Sequence, residues 1–209
     1  MTYSMPASPR AIDLNGDGLA DQFFIGDMGG QVWRFFINNG NSASTLVSQT
    51  DSDGNGTLAS ADGVFASIGG TGAANLRRLY NSPDLALTKH NGSIQLAVSI
   101  GSGYRGHPLN IDAQDRFYSF RTNQLYAAGS HTTITEANLY DATSNALQVG
   151  TTSEKTAAIS QLNASKGWMI KLEQSGEKVL SESLTYLGGV YFTTYAPGNT
   201  QTNLCKAVA

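Results

Sequence analysis

The feature that most constrains the fold is a nine-residue loop between two short apolar segments, running from Asp13 to Asp21. Oxygen-bearing side chains occupy alternate positions, and Gly18 stands sixth, where a glycine permits the sharp turn of calcium loops. Hard cations such as Ca²⁺ take about six to eight oxygen ligands, so the spacing predicts a calcium site. The predicted ligands are Asp13, Asn15, Asp17, the Leu19 carbonyl oxygen and Asp21. An ordinary polar turn is the alternative, because Asn, Asp and Gly also dominate turns.

A second acidic loop, residues 51–62, follows the spacing of an EF-hand calcium loop position by position. Its flanks are rich in Asn, Ser, Thr and Gly, so the two long helices of an EF-hand are not expected. The pattern therefore predicts a second calcium loop outside an EF-hand fold, with a solvated turn as the alternative. The predicted ligands are Asp51, Asp53, Asn55, the Thr57 carbonyl oxygen and Asp62.

Charge density supports the metal interpretation of both loops. Six of the 16 acidic residues of the chain lie in these two segments. Like charges a few ångströms apart repel by about 4 kcal/mol at an effective dielectric constant near 20. Clustered carboxylates of this kind usually require a cation or a raised pKa. The sequence thus predicts calcium in the first loop and offers a second site.

Short apolar segments separated by glycine turns indicate an all-β fold. The 23 glycines and the 14% of charged residues favour this class over a helical one. Segments 24–27 and 99–102 both run from an apolar strand through Ile-Gly into a polar turn, a weak internal repeat. We therefore predict a single domain over 1–209, built of antiparallel four-stranded blades of a partial, modified β-propeller. Residues 122–165 are predicted to be a helical insertion, with a short helix over 136–140 and another over 154–162 capped by Ser153. Strands are predicted over 31–37 and 179–185, and Asn91-Gly92 predicts a turn between two strands. Residues 198–209 are predicted to be a flexible tail.

Other classes of function are not supported by the sequence. The net charge of −3 and the lack of any Lys/Arg block argue against a nucleic-acid partner. Apolar runs fall far short of the roughly 18 residues of a membrane span, and no signal peptide is visible. His90, His107 and His131 are scattered without metal-ligand spacing, and no nucleophile elbow or phosphate loop occurs. We therefore expect a protein that is not an enzyme.

Several motifs in order are similar to those of the PilY-type tip-associated adhesins of bacterial type IV pili. The first runs from Ala11 to Asp21 and continues from Ile25 to Phe35. The others are Ile100–Arg105, Arg116–Tyr118, Gly167–Leu172, Gly176–Val179 and Val190–Thr194. The chain resembles the C-terminal β-propeller domain of that family over roughly residues 8–205.

The resemblance implies a secreted, non-enzymatic protein placed at the pilus tip through minor pilins. It implies roles in pilus assembly, twitching motility and attachment to host or abiotic surfaces. In the family an Asp-rich propeller loop binds calcium, and Asp13–Asp21 matches it position by position. The 51–62 loop is not part of the resemblance, and the Arg-Gly-Asp adhesion tripeptide of some members is absent. The resemblance also implies a disulfide partner for Cys205 outside this sequence.

Two other functions remain open at the level of sequence. One is an integrin-like extracellular calcium-binding repeat protein without a pilus role, which local loops cannot distinguish from the first. The other is a quinoprotein-like propeller enzyme, which would need an acid–base and cofactor constellation that the sequence does not display.

Overall fold

The first sheet carries the acidic loop at one edge. The computed structural model describes residues 2–49, 62–126 and 131–198. The strands of this sheet are β1 (Arg10–Ile12), β2 (Gln22–Gly26), β3 (Gln31–Ile37), β4 (Val47–Gln49) and β5 (Val64–Ser67). All pairings are antiparallel; β3 pairs with β2 on one edge and with both β4 and β5 along the other. Because β1 and β2 are neighbours, the loop from Asp13 to Asp21 is the connection of a hairpin.

The second sheet repeats this plan with a tighter hairpin. Its strands are β6 (Asp84–His90), β7 (Ser93–Gly101), β8 (Arg116–Thr122), β9 (Tyr140–Asp141) and β10 (Gly167–Lys171). The strand order is β6-β7-β8-β10-β9, with β9 parallel to β10 and the other pairs antiparallel. Asn91 and Gly92 join β6 to β7 with φ of 48° and 79°, the left-handed geometry that an Asn-Gly turn predicts. Each sheet thus has five strands where four were predicted.

Two short pairs complete the described strands. β11 (Lys178–Val179) pairs with β14 (Thr194–Tyr195), and β12 (Leu184–Tyr186) pairs with β13 (Gly189–Tyr191). We refer to β12–β13 as the C-terminal hairpin. A single strand over 179–185 is the expectation from sequence, and it is wrong in the middle. Asn81 Nδ2 donates to the Ser181 carbonyl oxygen and Arg10 pairs with Glu182, so these residues bind neighbouring segments instead of a strand.

Helices are few and short. They are α1 (Ala146–Val149), α2 (Thr152–Ala164) and two 3-10 turns at Ala73–Asn75 and Glu136–Asn138. The sequence suggests Ser153 as the cap of α2, but Thr151 caps it through a reciprocal pair of bonds with Glu154. The helix expected over 136–140 ends early because Tyr140 enters β9 and pairs with Trp168. No helix among the described residues has the length and apolar character needed to cross a bilayer.

The sheets stack face to face in three layers. Phe65 of the first sheet meets Phe120 of the second edge-on, with ring centroids 6.1 Å apart. On the opposite face of the second sheet, the Phe117 ring stacks on Phe192 at 3.9 Å, and Val190 of the C-terminal hairpin joins the same cluster. The fold is therefore mostly antiparallel β with few helices, as predicted. The described residues form this stack and no closed propeller.

Each sheet is locked by a later segment of the chain. The Leu79 amide donates to the Asp27 carbonyl oxygen at 3.1 Å, and the Val179 amide donates to that of Ser102 at 3.0 Å. A Cβ at Gly26 would lie 2.8 Å from Leu79 Cβ, and one at Gly101 would lie 2.4 Å from Val179 Cβ. Glycine is required at both places because the side chain of the crossing residue packs directly on it. The two Ile-Gly segments of the internal repeat thus occupy equivalent positions.

Candidate calcium loop and the buried polar centres

The two ends of the Asp13–Asp21 loop are held together by the hairpin that it closes. The Asp21 amide donates to the Ile12 carbonyl oxygen at 2.8 Å. The Leu14 amide in turn donates to Asp21 Oδ2 at 2.7 Å. The last acid therefore closes the loop onto its first residues.

The acids of the loop order its main chain. Asp13 accepts hydrogen bonds from the amides of Gly16 and Gly18 at 2.7 and 2.8 Å. Asn15 Oδ1 accepts from the Asp17 amide, and Asp17 Oδ1 from that of Leu19. Backbone hydrogen bonds, that from Gly18 foremost, lower the pKa of Asp13. The Asp13 carboxylate is thus held by backbone amides of the loop.

The donor set of this loop fits a hard cation in its chemistry. Every side-chain donor is an oxygen, and the acids lie at the surface, where an ion can reach them. Within 2–49, 62–126 and 131–198, no three His, Cys, Asp or Glu side chains come close enough together to form a metal site. Ion binding would therefore have to draw Asp13, Asp17 and Asp21 closer to one another.

The second loop is placed only at its end. Asp51, Asp53, Asn55 and Thr57 lie outside the described residues. Asp62 is described and is 2% exposed, directly before β5. The carbonyl oxygen of the following residue, Gly63, accepts a bond from the Arg34 amide at 2.8 Å. One of the five predicted ligands is thus packed against the middle of the first sheet.

Asp27 is a buried acid whose role the sequence did not reveal beyond a turn position. It is fully buried; Oδ1 accepts from the amides of Gly29 and Gln31, and Oδ2 accepts from Trp33 Nε1, all at 2.9 Å. Its carbonyl oxygen also accepts the bond from Leu79. Asp27 therefore ties the β2–β3 turn, the indole of β3 and the next layer together.

Arg34 crosses the interface between the two large sheets. Its guanidinium bonds Thr122 Oγ1 at 3.3 Å and Gln124 Oε1 at 2.6 Å, and stacks over the rings of Phe36 and Phe65. Burial lowers its pKa to about 10. These contacts give the arginine a structural role. Its polar partners lie 88 and 90 residues away, beyond the reach of any local pattern.

A second polar centre links the helical insertion to β8. Tyr118 donates its hydroxyl to Glu136 Oε1 at 2.6 Å, and Arg77 Nε donates to the same hydroxyl at 3.2 Å. Arg116 forms an ion pair with the other oxygen of Glu136. Burial and the neighbouring Glu136 carboxylate raise the pKa of Tyr118 well above its usual value. These contacts fix the 3-10 turn of the insertion on the sheet.

Lys178 is a buried cation held by main-chain oxygens. Its side chain belongs to a residue only 1% exposed. The ammonium donates to the carbonyl oxygens of Pro108 and Asn110 at 2.9 Å each, and to that of Gly176. Burial lowers its pKa, and the charge of Asp115 opposes that shift. The lysine thereby fastens the long loop between β7 and β8 to the start of β11.

The three histidines have structural contacts, in line with the interpretation from sequence. The His131 ring stacks on Phe65 at 5.1 Å and donates through Nε2 to its carbonyl oxygen at 2.8 Å, and burial lowers its pKa to about 4. Arg121 bonds His90 Nδ1 at 2.6 Å, and His107 packs edge-on against Tyr104. The fully buried Ser102 hydroxyl donates to Asp115 at 2.7 Å. These groups are engaged in packing and main-chain support.

Similarity to known proteins is found in the structure and not in the sequence. No family model matches the sequence, and no curated protein matches it. Among solved structures, the crystal structure of the Pseudomonas aeruginosa PilY1 C-terminal domain is similar, with a TM-score of 0.59 and 18% sequence identity. The match covers 91% of this chain and 44% of that chain, so this chain spans less than half of the solved domain. The chain therefore has a PilY1-like fold.

Proposed function

We propose, from the PilY1-like fold, that this chain is a calcium-binding segment of a type IV pilus-associated adhesin and biogenesis protein. The likeness of fold over nine-tenths of the chain carries the proposal. The order of motifs supports it independently, since those segments fall on β2–β3, β7–β8, β10–β11 and β13.

The stacked layers support a finer proposal about architecture. Propellers are built of antiparallel sheets packed face to face around an axis. The first sheet, the second sheet and the C-terminal hairpin pack face to face in succession. We take them as successive blades of a larger propeller, located outside the cell at the pilus tip. Its proposed partners are minor pilins and a ligand on a host or abiotic surface, and its roles are pilus assembly, twitching motility and attachment.

The proposed mode of action is a calcium-dependent shape, without catalysis. Calcium would be held by the oxygens of Asp13, Asn15, Asp17, Leu19 and Asp21, with the 51–62 loop as a second site. The ion supplies positive charge that lowers the repulsion among the loop acids. Because β1 and β2 meet at this loop, binding would stabilise the edge of the first sheet.

Calorimetric calcium titration tests the metal and counts the sites. Asp17→Asn is the sharpest variant for the first loop, because an amide oxygen can still accept the Leu19 bond while the charge is lost. Asp53→Asn is the equivalent variant for the second loop. Asp112→Asn is the control, since this exposed acid also accepts a local bond but lies outside both loops.

We expect calcium at about 100 times its Kd to add roughly 2.7 kcal/mol of stability, or about 5–10 °C in melting temperature. Magnesium should add much less, because it demands a smaller octahedral site. Asp17→Asn should abolish one binding event, and Asp112→Asn none. A melting temperature that is unchanged by calcium and by chelator would refute the calcium proposal. Failure to retain minor pilins in a pull-down, with or without calcium, would refute the proposed pilus role.

A further inference from the structure

An open cleft lies in the long connection between β7 and β8. Its volume is about 560 Å³, and it is lined by Tyr104, Gly106, His107, Pro108, Leu109 and Asn110. Sites for small molecules usually measure about 300–1,000 Å³, so the cleft has the size of such a site. It lies at the end of two strands and not on a face of the stacked sheets. A further sheet added to the stack therefore leaves it open.

The walls of the cleft are held in place by buried and main-chain contacts. The ammonium of Lys178, a residue only 1% exposed, donates to the carbonyl oxygens of Pro108 and Asn110 at 2.9 Å each. The His107 amide donates to the Tyr104 carbonyl oxygen at 3.1 Å, which closes a turn beside the cleft. A ligand therefore meets a shape that is already formed, and this lowers the entropy cost of binding.

Tyr104 provides an aromatic wall. Its ring is half-buried, and the His107 ring packs edge-on against it with centroids 4.8 Å apart. Pro108 and Leu109 extend the apolar surface and are exposed. Aromatic rings offer a large contact area of fixed geometry. The flat C–H face of a pyranose ring packs on a surface of this kind, while its hydroxyl groups stay in water.

Two arginines flank the ring of Tyr104 and have donors to spare. Arg78 Cζ lies 3.7 Å from the centre of the ring, and Arg105 is the next residue in the chain and is exposed. Within the described part of the chain, neither guanidinium forms a hydrogen bond or an ion pair. Stacking on the ring fixes the plane of Arg78, and a guanidinium held in this way binds a carboxylate through two parallel N–H groups.

The charges near the cleft favour an anion. Residues 103–111 contain no acid, and the carboxylate of the following Asp112 accepts a bond from Asn110 at 2.7 Å. The carboxylate of Asp115 is buried and interacts with the ammonium of Lys178. The two arginines therefore give the cleft a positive charge, in a chain whose net charge is −3.

We propose that this cleft binds an acidic sugar, that is, a pyranose ring that carries a carboxylate. The C–H face of the ring packs on Tyr104, and the carboxylate accepts charge-assisted bonds from Arg78 and Arg105. The carboxylate at the end of a peptide has the charge without the flat apolar ring, so it fits the cleft less well. The site is separate from the calcium loop, so this proposal can fail while the calcium and pilus proposals stand.

Proton–nitrogen NMR spectra recorded during titration with trigalacturonate in calcium-free buffer test the proposal. The methyl ester of trigalacturonate is the matched probe without charge, and acetyl-alanyl-alanine is the peptide carboxylate. Arg105→Gln removes an exposed cation, and Tyr104→Leu removes the ring but keeps an apolar side chain. Lys89→Gln is the control, because it removes an exposed cation at the β6–β7 turn, at the opposite end of the second sheet. Melting curves establish that each variant folds.

Trigalacturonate should shift the amide signals within 104–110 and saturate, while the methyl ester and the peptide bind at least about tenfold more weakly. Arg105→Gln and Tyr104→Leu should each weaken binding at least about fivefold, and Lys89→Gln should leave it unchanged. Signals within 104–110 that do not move at about 10 mM trigalacturonate would overturn the proposal. So would an Arg105→Gln protein that binds like the wild type, or a methyl ester that binds as well as the acid. Tighter binding of the peptide would assign the cleft to a peptide terminus instead.

Discussion

Replacing Asp27 by Asn should destabilise the fold through one buried bond. The amide oxygen of the new side chain can take the place of Oδ1, which accepts from Gly29 and Gln31. Its NH₂ group would then face the indole N–H of Trp33, now 2.9 Å from Oδ2. Two donors cannot bond each other, so a buried N–H loses its acceptor. The change in volume is negligible, which isolates this effect.

The expected magnitude follows from the hydrogen bonds that change. A buried donor left without a partner costs about 1–3 kcal/mol, and bonds to a charged acceptor are worth about 1.5–3 kcal/mol, against about 1 kcal/mol for neutral ones. Losing the buried charge offsets part of this cost. We therefore expect Asp27→Asn to lower the free energy of unfolding by about 2–3 kcal/mol, or the melting temperature by about 5–10 °C.

Urea denaturation followed by far-UV circular dichroism measures this change. Trp33→Phe should cost about 1 kcal/mol less in the Asp27→Asn background than in the wild type, because the opposed N–H is then absent. Asp112→Asn is the exposed control and should fall within about 0.5 kcal/mol of the wild type. An Asp27→Asn protein as stable as that control, or the same cost of Trp33→Phe in both backgrounds, would refute the argument.

Two further predictions concern a buried imidazole and a buried ammonium. Burial lowers the pKa of His131 from 6.5 to about 4. Between these pH values the unfolded chain therefore binds more protons than the folded protein. The free energy of unfolding should fall by about 1–2 kcal/mol as the pH drops through this window, after allowance for solvent screening. Denaturation at a series of pH values checks this, and His131→Gln should flatten that part of the profile; an unchanged profile would contradict it. Lys178→Met should cost about 3 kcal/mol in unfolding free energy by removing three charge-assisted bonds, whereas Lys171→Met, which removes an exposed pair with Asp141, should cost about 0–1 kcal/mol. Equal costs in parallel denaturation curves would disprove the role of Lys178.

Local patterns in the sequence predict the larger strands well. The aromatic strand over 31–37 is confirmed as β3, and Asn91-Gly92 is confirmed as the turn between two strands. Both depend on short-range rules, namely side-chain alternation and the left-handed preference of Asn-Gly. The hydrogen bonds that the carboxylates of the first acidic loop accept also follow from local spacing, since each connects residues at most seven positions apart.

Local sequence patterns do not predict the buried polar contacts. Arg34 lies in the middle of a strand and Lys178 at the start of one, and neither sequence segment looks unusual. Their polar partners Gln124 and Pro108 lie 90 and 70 residues away in the sequence. A strand over 179–185 is a sound inference from β-propensity, yet contacts with Asn81 and Arg10 interrupt it. Tertiary partners overrule local preference at these places.

The amides of Leu79 and Val179 have a consequence for how the chain can fold. Each closes a sheet whose strands were completed earlier in the sequence, and the bond at Val179 reaches back 77 residues to Ser102. Contacts of such sequence separation form slowly, because the intervening chain must first be ordered. During synthesis each sheet therefore lacks these contacts until the segment with Leu79 or Val179 has been made. A nascent chain that stops short of Lys178 leaves the main chain of Gly101–Gly103 uncovered, and translation order thus becomes part of the route to the native state.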